Sequence, residues 1–415
     1  MSAVAAFSSR WVEPPASVTD LPEGGLAAGF RAAGVPAGIK PSGDPDLALL
    51  VSSEPDTASA ARFTRSGVLA APVLLCQSRC RLDALRAVVV NSGNANAATG
   101  NRGLEDAARM QGAAAMAAGV HEEHVAVAST GVIGVPMAMD GVPKAILAAR
   151  SELAPDGDAA FWRAIATTDA FEKRLALDVA LPSGTVRVSA QAKGAGMIQP
   201  GFATMLCFVQ TDAALEPETA DLLLGVCVKR SFDRISVDGQ LSTNDTAILM
   251  ASGASGVVVV PESEDELRFG EALDYALRRL AVLIVRDGEG AARIGRVHVH
   301  GGEDAIVERT ARAVANSPLV KAALHGGDPN WGRIAQAVGA ALPGTAPLPY
   351  DIWIEGVQVC AGGVAVPHDA DALARAVGRE EVEYVVGLPG EGAETEVFFS
   401  DLSHEYVRIN AEYTT

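Results

Sequence analysis

Thr204, near the middle of the 415-residue chain, is the residue whose type and surroundings point most directly to chemistry. It lies in the glycine-rich segment KGAGMIQPGFATML at 193–206. A threonine hydroxyl is a weak nucleophile when no nearby group removes its proton. At a chain N-terminus a threonine has such a base in its own α-amine, whose pKa is about 7.7–8.0. Thr204 therefore becomes an effective nucleophile if the bond that joins it to Ala203 is cut.

The same hydroxyl can make this cut by attacking the carbonyl group of Ala203 to form an ester, which water then hydrolyses. The small side chain of Ala203 and the nearby Gly194, Gly196 and Gly201 leave the backbone free to adopt the strained conformation that this reaction needs. A second interpretation is that ATMLCFV merely begins a buried strand. The two interpretations are compatible, because a nucleophile can stand where a strand begins.

Five other loops are rich in glycine, hydroxyl and amide side chains, and several of them follow predicted strands. Binding and catalytic residues are found disproportionately in such loops. These loops are NSGNANAATG (91–100), STGVIG (129–134), SVDGQLSTNDT (236–246), DGEGAAR (287–293) and DPNWGRI (328–334).

The elements that must hold these loops alternate along the chain. Short β-branched runs follow alanine-rich helical stretches, a pattern typical of an α/β or layered α+β protein. Strands are predicted at 87–90, 125–128, 175–180, 185–192, 205–212, 246–251, 256–260 and, as EYVRIN, at 405–410. Helices are predicted over about 103–118, 137–150, 158–167, 217–230 and 263–284.

Composition narrows the class of protein. Hydrophobic residues make up 49% and charged residues 20% of the chain, as in a soluble globular protein. A net charge of −18 without a run of Lys or Arg argues against a nucleic-acid partner. No apolar stretch is long enough for a membrane span or a signal peptide. The five scattered cysteines include no CxxC pair, so we expect reduced thiols and a cytoplasmic location.

The six loops, together with AAGFRAAGVPAGIK (27–40) and the closing YVRINAEYTT, resemble the bifunctional ornithine acetyltransferase/glutamate N-acetyltransferase family from about residue 25 onward. The resemblance implies an αββα sandwich of the ornithine acetyltransferase/aminopeptidase group. It also implies a precursor cut into an α chain, 1–203, and a β chain, 204–415, which interlock as one globular unit and assemble as a heterotetramer.

The resemblance assigns roles to further residues. The Thr130 hydroxyl and the Gly131 N–H would stabilise an oxyanion, although STGVIG read alone could be a simple strand-to-helix turn. Of TTDA at 167–170, either Thr167 or Ala170 occupies the position that contacts substrate. The other residues matched to substrate contacts are Lys193, Glu289, Asn410 and Thr415, besides Thr204 itself.

The implied function is a ping-pong transfer of an acetyl group from N2-acetylornithine to glutamate through acetyl-Thr204, in arginine biosynthesis or a related pathway. No metal or organic cofactor is expected, with acetyl-CoA as an optional co-substrate; His121 and His124 lack the spacing of a helical zinc pair. One alternative is an amidase or aminopeptidase of the same fold, in which water resolves the acyl-enzyme. Another is an uncut, non-catalytic protein that binds an amino acid.

The sequence also departs from the family pattern near these loops. Alanines replace threonines at Ala170, Ala292 and, in VKAA at 320–323, Ala322. Other departures are Gly201, Phe202, Gln240, Leu241 and Arg293. Losing a hydroxyl that pairs with a buried substrate group costs about 1–3 kcal/mol. The sequence therefore predicts conserved acyl-transfer machinery with an altered pocket, as in a paralogue that acts on a different acyl-amino acid.

Overall fold

The computed structural model describes residues 7–199 and 205–412. The predicted cleavage site, Ala203 and Thr204, lies outside the described residues, as do Gly201, Phe202 and Thr415.

The strands of the described ranges form three sheets. They are β1 (Val18–Asp20), β2 (Phe30–Val35), β3 (Leu47–Ser52), β4 (Ala58–Phe63), β5 (Ala87–Asn94), β6 (Val125–Val132), β7 (Arg174–Leu181), β8 (Gly184–Lys193), β9 (Leu206–Thr211), β10 (Ile235–Ser236), β11 (Thr246–Ala251), β12 (Ile294–His300), β13 (Asp351–Ile354), β14 (Val357–Ala361), β15 (Val364–Ala365), β16 (Glu381–Gly387) and β17 (Glu394–Ser400).

The α-helices alternate with these strands through most of the chain. They are α1 (Ala71–Arg79), α2 (Gly100–Ala118), α3 (Val142–Ala149), α4 (Asp158–Ile165), α5 (Pro217–Arg230), α6 (Glu264–Arg286), α7 (Asp304–Asn316), α8 (Pro318–Gly326), α9 (Trp331–Ala341), α10 (Ala370–Ala376) and α11 (His404–Glu412). Within the described ranges, none of these helices has the length and apolar character needed to cross a membrane.

Two sheets form the centre of the molecule. In sheet 1 the strand order is β1-β7-β8-β9-β11-β4, and in sheet 2 it is β2-β3-β5-β6. The β9–β11 and β5–β6 pairs are parallel, and the other pairs in these two sheets are antiparallel. Helices α5 and α6 pack on sheet 1, while α1, α2 and α3 pack on sheet 2.

The β9 side chains show how the two sheets meet. Leu206 and Phe208 belong to the core shared with sheet 2, whereas Cys207 and Val209 belong to the core shared with α5 and α6. Successive side chains of a strand point to opposite faces, so a strand covered on both faces is apolar throughout. The layers therefore run helix, sheet, sheet, helix, and the predicted αββα sandwich is confirmed.

Helix α4 lies close to sheet 2 because two glycines permit it. A Cβ at Gly34 of β2 would stand 2.0 Å from the carbonyl oxygen of Ala160, and one at Gly157 would stand 2.0 Å from that of Ala32. No side chain can be accommodated at those distances. The close packing positions the first turn of α4 against β2, and residues 167–170 follow shortly after the other end of this two-turn helix.

Sheet 3 is built from the C-terminal part of the chain, in the order β10-β17-β12-β16-β13-β14-β15. Its core is shared with α7, α8 and α9. Adjacent residues of β17 join the two parts of the molecule, because Phe399 packs in this core and Phe398 packs in the core of sheet 1 and α6.

Two predicted strands are wrong. Residues 405–410 lie in the helix α11, where the Ser403 hydroxyl accepts a hydrogen bond from Tyr406 N (3.1 Å) and Arg408 pairs with Glu405 and Glu412. A capping serine and ion pairs three and four residues apart favour a helix over the strand propensity of Tyr, Val and Ile. Residues 256–260 make only an isolated bridge from Val258 to Ala214, because no continuous partner strand lies beside them.

Phe208 should carry a large share of the packing between the sheets. It is fully buried and meets Phe161 of α4 edge to face, with ring centroids 5.4 Å apart. We expect Phe208→Ala to lower the free energy of unfolding by about 3–5 kcal/mol, measured by denaturant titration. Leu222→Ala, on the exposed side of α5, is the control and should change it by less than about 0.5 kcal/mol. Equal effects of the two variants would contradict the sandwich packing.

Candidate active site

A cavity of about 570 Å³ opens at one edge of the sandwich. The parallel strands β5 and β6 end there, as does β8, and β9 begins there paired with the last residue of β8. The predicted residues that line this cavity are Thr130, Gly131, Thr167, Lys193, Glu289 and Asn410. Thr130 and Asn410, 280 positions apart in the chain, are thus brought to the same cavity. Residues that act on one substrate must meet in this way.

The end of β6 needs a glycine at position 131. Gly131 has a φ of +131°, and a Cβ there would stand 2.3 Å from the backbone carbon of Gly93 on β5. Both the left-handed backbone and the contact exclude a side chain. Thr130, buried beside it, therefore presents its hydroxyl from a closely packed pair of strand ends.

Lys193 joins two of the predicted hydroxyls. Its Nζ donates to Thr167 Oγ1 at 2.7 Å and to Thr130 Oγ1 at 3.2 Å. An ammonium group only donates, so each hydroxyl oxygen is an acceptor and keeps its own proton free for another partner. The hydroxyl of Thr130 is thereby available as a donor to an oxyanion. Burial lowers the pKa of Lys193, an effect that the carboxylate of Asp169 opposes.

A buried cluster of three charges lies behind these hydroxyls. Lys173 Nζ donates to Asp169 Oδ1 at 2.6 Å and also forms a short hydrogen bond with Asp287. All three side chains are almost completely buried. Burial alone would raise the pKa of Asp169, but Lys173, Lys193 and the hydrogen bonds to its carboxylate hold that pKa well below the ordinary value.

The cluster holds the backbone of the loops around it. Asp169 accepts hydrogen bonds from Thr167 N (3.0 Å) and from Gly194 N (2.8 Å), the residue after Lys193. Asp287 accepts from Ala170 N at 3.0 Å and is itself two residues before Glu289. One charge cluster therefore links the three segments that present Thr167, Lys193 and Glu289.

Glu289 is held by contacts from three directions. Its N donates to Ala195 O at 2.9 Å, and its Oε2 accepts from the Asn410 side chain at 2.8 Å. A Cβ at Gly196 would stand 2.9 Å from the Glu289 carboxyl group. At Gly290, with a φ of +70°, it would meet Tyr406 N at 2.7 Å. Glycines on either side thus let the carboxylate and α11 approach closely.

Asp238 and Tyr406 also line the cavity but were not singled out from the sequence. Asp238 lines the cavity and accepts hydrogen bonds from Met197 N (2.6 Å) and Ile198 N (2.8 Å). Tyr406 also lines it; burial, Asp238 and Glu289 together raise its pKa. Asp238 stands in the quoted SVDG motif, which could have signalled a turn-stabilising carboxylate. Tyr406 could be found only once residues 405–410 were recognised as a helix.

The structure also shows which of the positions that depart from the family pattern line the cavity. Ala170, Ala292 and Ala322 are exposed and stand apart from the described lining of the cavity, so the expected loss of a hydroxyl from the pocket does not apply to them. Of the two candidates for a substrate contact, Thr167 lines the cavity, whereas Ala170 uses its backbone N to bind Asp287. Gln240 is a departure that does reach the cavity.

A family model and the similar curated proteins below all point to the same family. The model described as the ArgJ family matches residues 31–415. The arginine biosynthesis bifunctional protein ArgJ of Geobacter sulfurreducens is 46% identical over 396 residues, covering 93% of this chain and 99% of that protein. The protein of the same name from Symbiobacterium thermophilum is 43% identical, covering 94% and 97%. The solved ornithine acetyltransferase of Mycobacterium tuberculosis, complexed with ornithine, is 38% identical, covers 45% of this chain and 99% of that chain, and has a TM-score of 0.41.

Removing the lysine from the charge cluster should be severely destabilising. Lys173→Met leaves two carboxylates buried without their cation, and we expect the free energy of unfolding to fall by about 3–5 kcal/mol. Denaturant titration measures this. The control is Arg163→Met, which breaks an exposed ion pair with Glu172 and should cost less than about 1 kcal/mol. A loss at Lys173 no greater than at Arg163 would show that the cluster does not hold the loops.

Proposed function

The chain belongs to the ArgJ family, and from this premise we propose that it transfers an acetyl group from N2-acetylornithine to glutamate, in arginine biosynthesis or a related pathway. The observation that carries the proposal is the convergence of Thr130, Gly131, Lys193 and Glu289 in one cavity at the edge where β9 begins. A nucleophile at Thr204 would stand two positions before the first residue of that strand, Leu206.

The first half of the reaction forms an acetyl ester. The Thr204 hydroxyl attacks the acetyl carbonyl carbon while the α-amine of the same residue takes the hydroxyl proton. The Thr130 hydroxyl and the Gly131 N–H stabilise the resulting oxyanion. The carbon–nitrogen bond to ornithine then breaks, the α-ammonium group returns its proton to the departing amine, and acetyl-Thr204 remains.

The second half reverses these steps with another amine. The α-amine of glutamate attacks the ester carbonyl, passes a proton to the Thr204 α-amine, and leaves as N-acetylglutamate. Thr204 regains its hydroxyl proton from that α-ammonium group. Both substrates are α-amino acids, so one carboxylate-binding group can serve both, and Lys193 is suited to that role. Glu289 is suited to the cationic side-chain amine of ornithine.

A cut between Ala203 and Thr204 would break the chain between two strands that stay hydrogen-bonded to each other. The last strand before this bond, β8, and the first strand after it, β9, are hydrogen-bonded neighbours in sheet 1. The same sheet also contains β4 from the first segment beside β11 from the second. The proposed α chain, 1–203, and β chain, 204–415, would therefore stay interlocked after the cut.

Other parts of the proposal rest on the family. We propose a heterotetramer in the cytoplasm, without a metal or organic cofactor, because the α-amine and the oxyanion donors supply the acid–base and electrostatic functions. Acetyl-CoA is proposed as a further acetyl donor to the same threonine. A paralogue that acts on a different acyl-amino acid remains the alternative substrate assignment, with Gln240 as the departure that lines the cavity.

The primary test combines processing with transfer. Intact mass under denaturing conditions should show two fragments for the wild type, the second beginning at Thr204, and one uncut chain for Thr204→Ala. The wild type should consume N2-acetylornithine rapidly with glutamate present, whereas Thr204→Ala should not. A single intact chain from both proteins would exclude the N-terminal nucleophile. Equal consumption with and without glutamate would instead indicate an amidase.

Glu289 should govern the binding of the cationic substrate. Glu289→Gln removes the charge but keeps the shape, and a hydrogen bond to a charged group contributes about 1.5–3 kcal/mol. We therefore expect KM for N2-acetylornithine to rise about 10- to 100-fold, with processing at Thr204 unchanged. Glu218→Gln, an exposed change in α5 outside the lining of the cavity, is the control and should leave KM unchanged. An unaltered KM in Glu289→Gln would remove Glu289 from substrate binding.

A further inference from the structure

Lys40 lines the cavity but has no part in the steps described above. It stands in the loop between β2 and β3, whose form is set by the fully buried Asp46. The Asp46 carboxylate accepts hydrogen bonds from the backbone nitrogens of Ala37 (2.6 Å), Ile39 (2.5 Å) and Lys40 itself (2.8 Å). The loop therefore holds Lys40 at a defined place, and it uses Asp46 to do so.

The ammonium group of Lys40 has room for one more partner. Its Nζ donates to the carbonyl oxygens of Ala166 at 2.8 Å and Pro45 at 3.0 Å, which use two of its three N–H bonds. In the part of the chain that the structure describes, it forms no ion pair and its third N–H bond meets no acceptor. A half-buried cation without a contacting carboxylate is costly, so an anionic group of a ligand would be stabilising there.

The carboxylates nearest to Lys40 act on it only from a distance. Burial lowers the pKa of Lys40, and Asp46, Asp44 and Asp169 oppose that shift. Asp46 is engaged by the backbone of the loop, and Asp169 is engaged by Lys173. Asp44 is exposed, so water and salt screen its charge. None of these carboxylates therefore takes the place of a contacting anion.

Lys40 lies close to the groups proposed for acyl transfer. A Cβ at Gly93, at the end of β5, would stand 3.2 Å from Lys40 Cγ, so the stem of the lysine passes over that strand end. Ala166, which accepts the hydrogen bond from Lys40, immediately precedes Thr167, which Lys193 binds. A ligand held by Lys193 is therefore near Lys40 as well.

Glu289 belongs to a different wall of the cavity. It follows α6 and is bonded to Asn410 of α11, whereas Lys40 is bonded to the end of α4. The pKa of Lys193 is shifted by both Glu289 and Lys40, but the pKa of Lys40 is not shifted by Glu289. Lys193 therefore stands between a carboxylate on one side and a second cation on the other.

The two proposed amino-acid substrates differ in the charge of their side chains. Both have an α-carboxylate and an α-nitrogen that bonds to the acetyl group, but ornithine ends in an ammonium group and glutamate in a carboxylate. With the α-carboxylate on Lys193, Glu289 attracts the side chain of ornithine and repels that of glutamate. The glutamate side chain needs a cation elsewhere, and among the described residues of the lining the other cation is Lys40.

We propose that Lys40 binds the side-chain carboxylate of glutamate while Lys193 binds its α-carboxylate. Donor and acceptor then share Lys193 and the oxyanion donors but direct their side chains to different walls of the cavity. The inference rests on the proposed function and adds the residue that selects the acceptor. Lys40 contacts neither the acetyl group nor the side chain of ornithine.

The test uses Lys40→Met, which removes the charge and keeps a long, unbranched side chain. We expect KM for glutamate to rise about 10- to 100-fold, since a hydrogen bond between two charged groups is lost. Glutamine has the shape of glutamate without the charge, so the preference for glutamate over glutamine should largely disappear in the variant. Exchange of labelled ornithine into N2-acetylornithine should keep its wild-type KM, because ornithine does not use Lys40.

The pattern of losses separates the possible roles of Lys40. Equal losses for glutamate and for labelled ornithine would overturn the inference, since they would indicate the shared α-carboxylate or a purely structural role. An unchanged preference for glutamate over glutamine would also overturn it and leave the proposed function intact. A wild type that transfers no acetyl group to glutamate would instead overturn the proposed function. The matched control is Lys144→Met, an exposed lysine of α3 outside the cavity lining, which should behave as the wild type in every assay.

A second measurement needs no variant, in case Lys40→Met does not fold. A crystal structure of the wild-type enzyme with N-acetylglutamate should place an oxygen of the side-chain carboxylate within hydrogen-bonding distance, about 2.7–3.2 Å, of Lys40 Nζ. A side-chain carboxylate bound by another group, with no ligand atom at Lys40 Nζ, would overturn the inference.

Discussion

The arrangement of the site depends on the buried contact between Lys173 and the carboxylates of Asp169 and Asp287. Taking three charged groups out of water is costly, and the cost is recovered only when the charges meet and their remaining acceptor positions are filled. Backbone N–H groups of Thr167, Ala170 and Gly194 fill them. Since each donor belongs to a segment of the cavity wall, the cluster cannot be satisfied unless those segments come together.

Close backbone packing complements this electrostatic constraint. Gly34 and Gly157 bring α4 against sheet 2, while Gly93 and Gly131 bring the ends of β5 and β6 together. A side chain at Gly34, Gly131 or Gly157 would collide with main-chain atoms, which cannot move aside as a flexible side chain can. The glycines therefore set distances within the scaffold, and the charge cluster then fixes the loops that project from it.

The topology is also compatible with the proposed cut between residues 203 and 204. A cut between residues 203 and 204 falls where one strand of sheet 1 ends and its neighbour begins, so the hydrogen bonds between β8 and β9 do not depend on chain continuity there. The end of β8 carries Lys193, and β9 begins two positions after the proposed nucleophile. Lys193 and Leu206, the first residue of β9, would stay paired after such a cut, because the sheet holds them and the peptide between them does not.

The layered class, most of the helices and strands, and the loops that carry Thr130, Lys193 and Glu289 were predictable from the sequence, because periodicity and loop motifs are local features. Only the folded chain shows that Thr167 and not Ala170 reaches the cavity, and that residues 405–410 form a helix carrying Tyr406 and Asn410. It also revealed the Lys173 cluster and placed Asp238 in the lining of the cavity. A charged residue looks like surface in one dimension, and only folding shows which charges lie in the interior and what they bind.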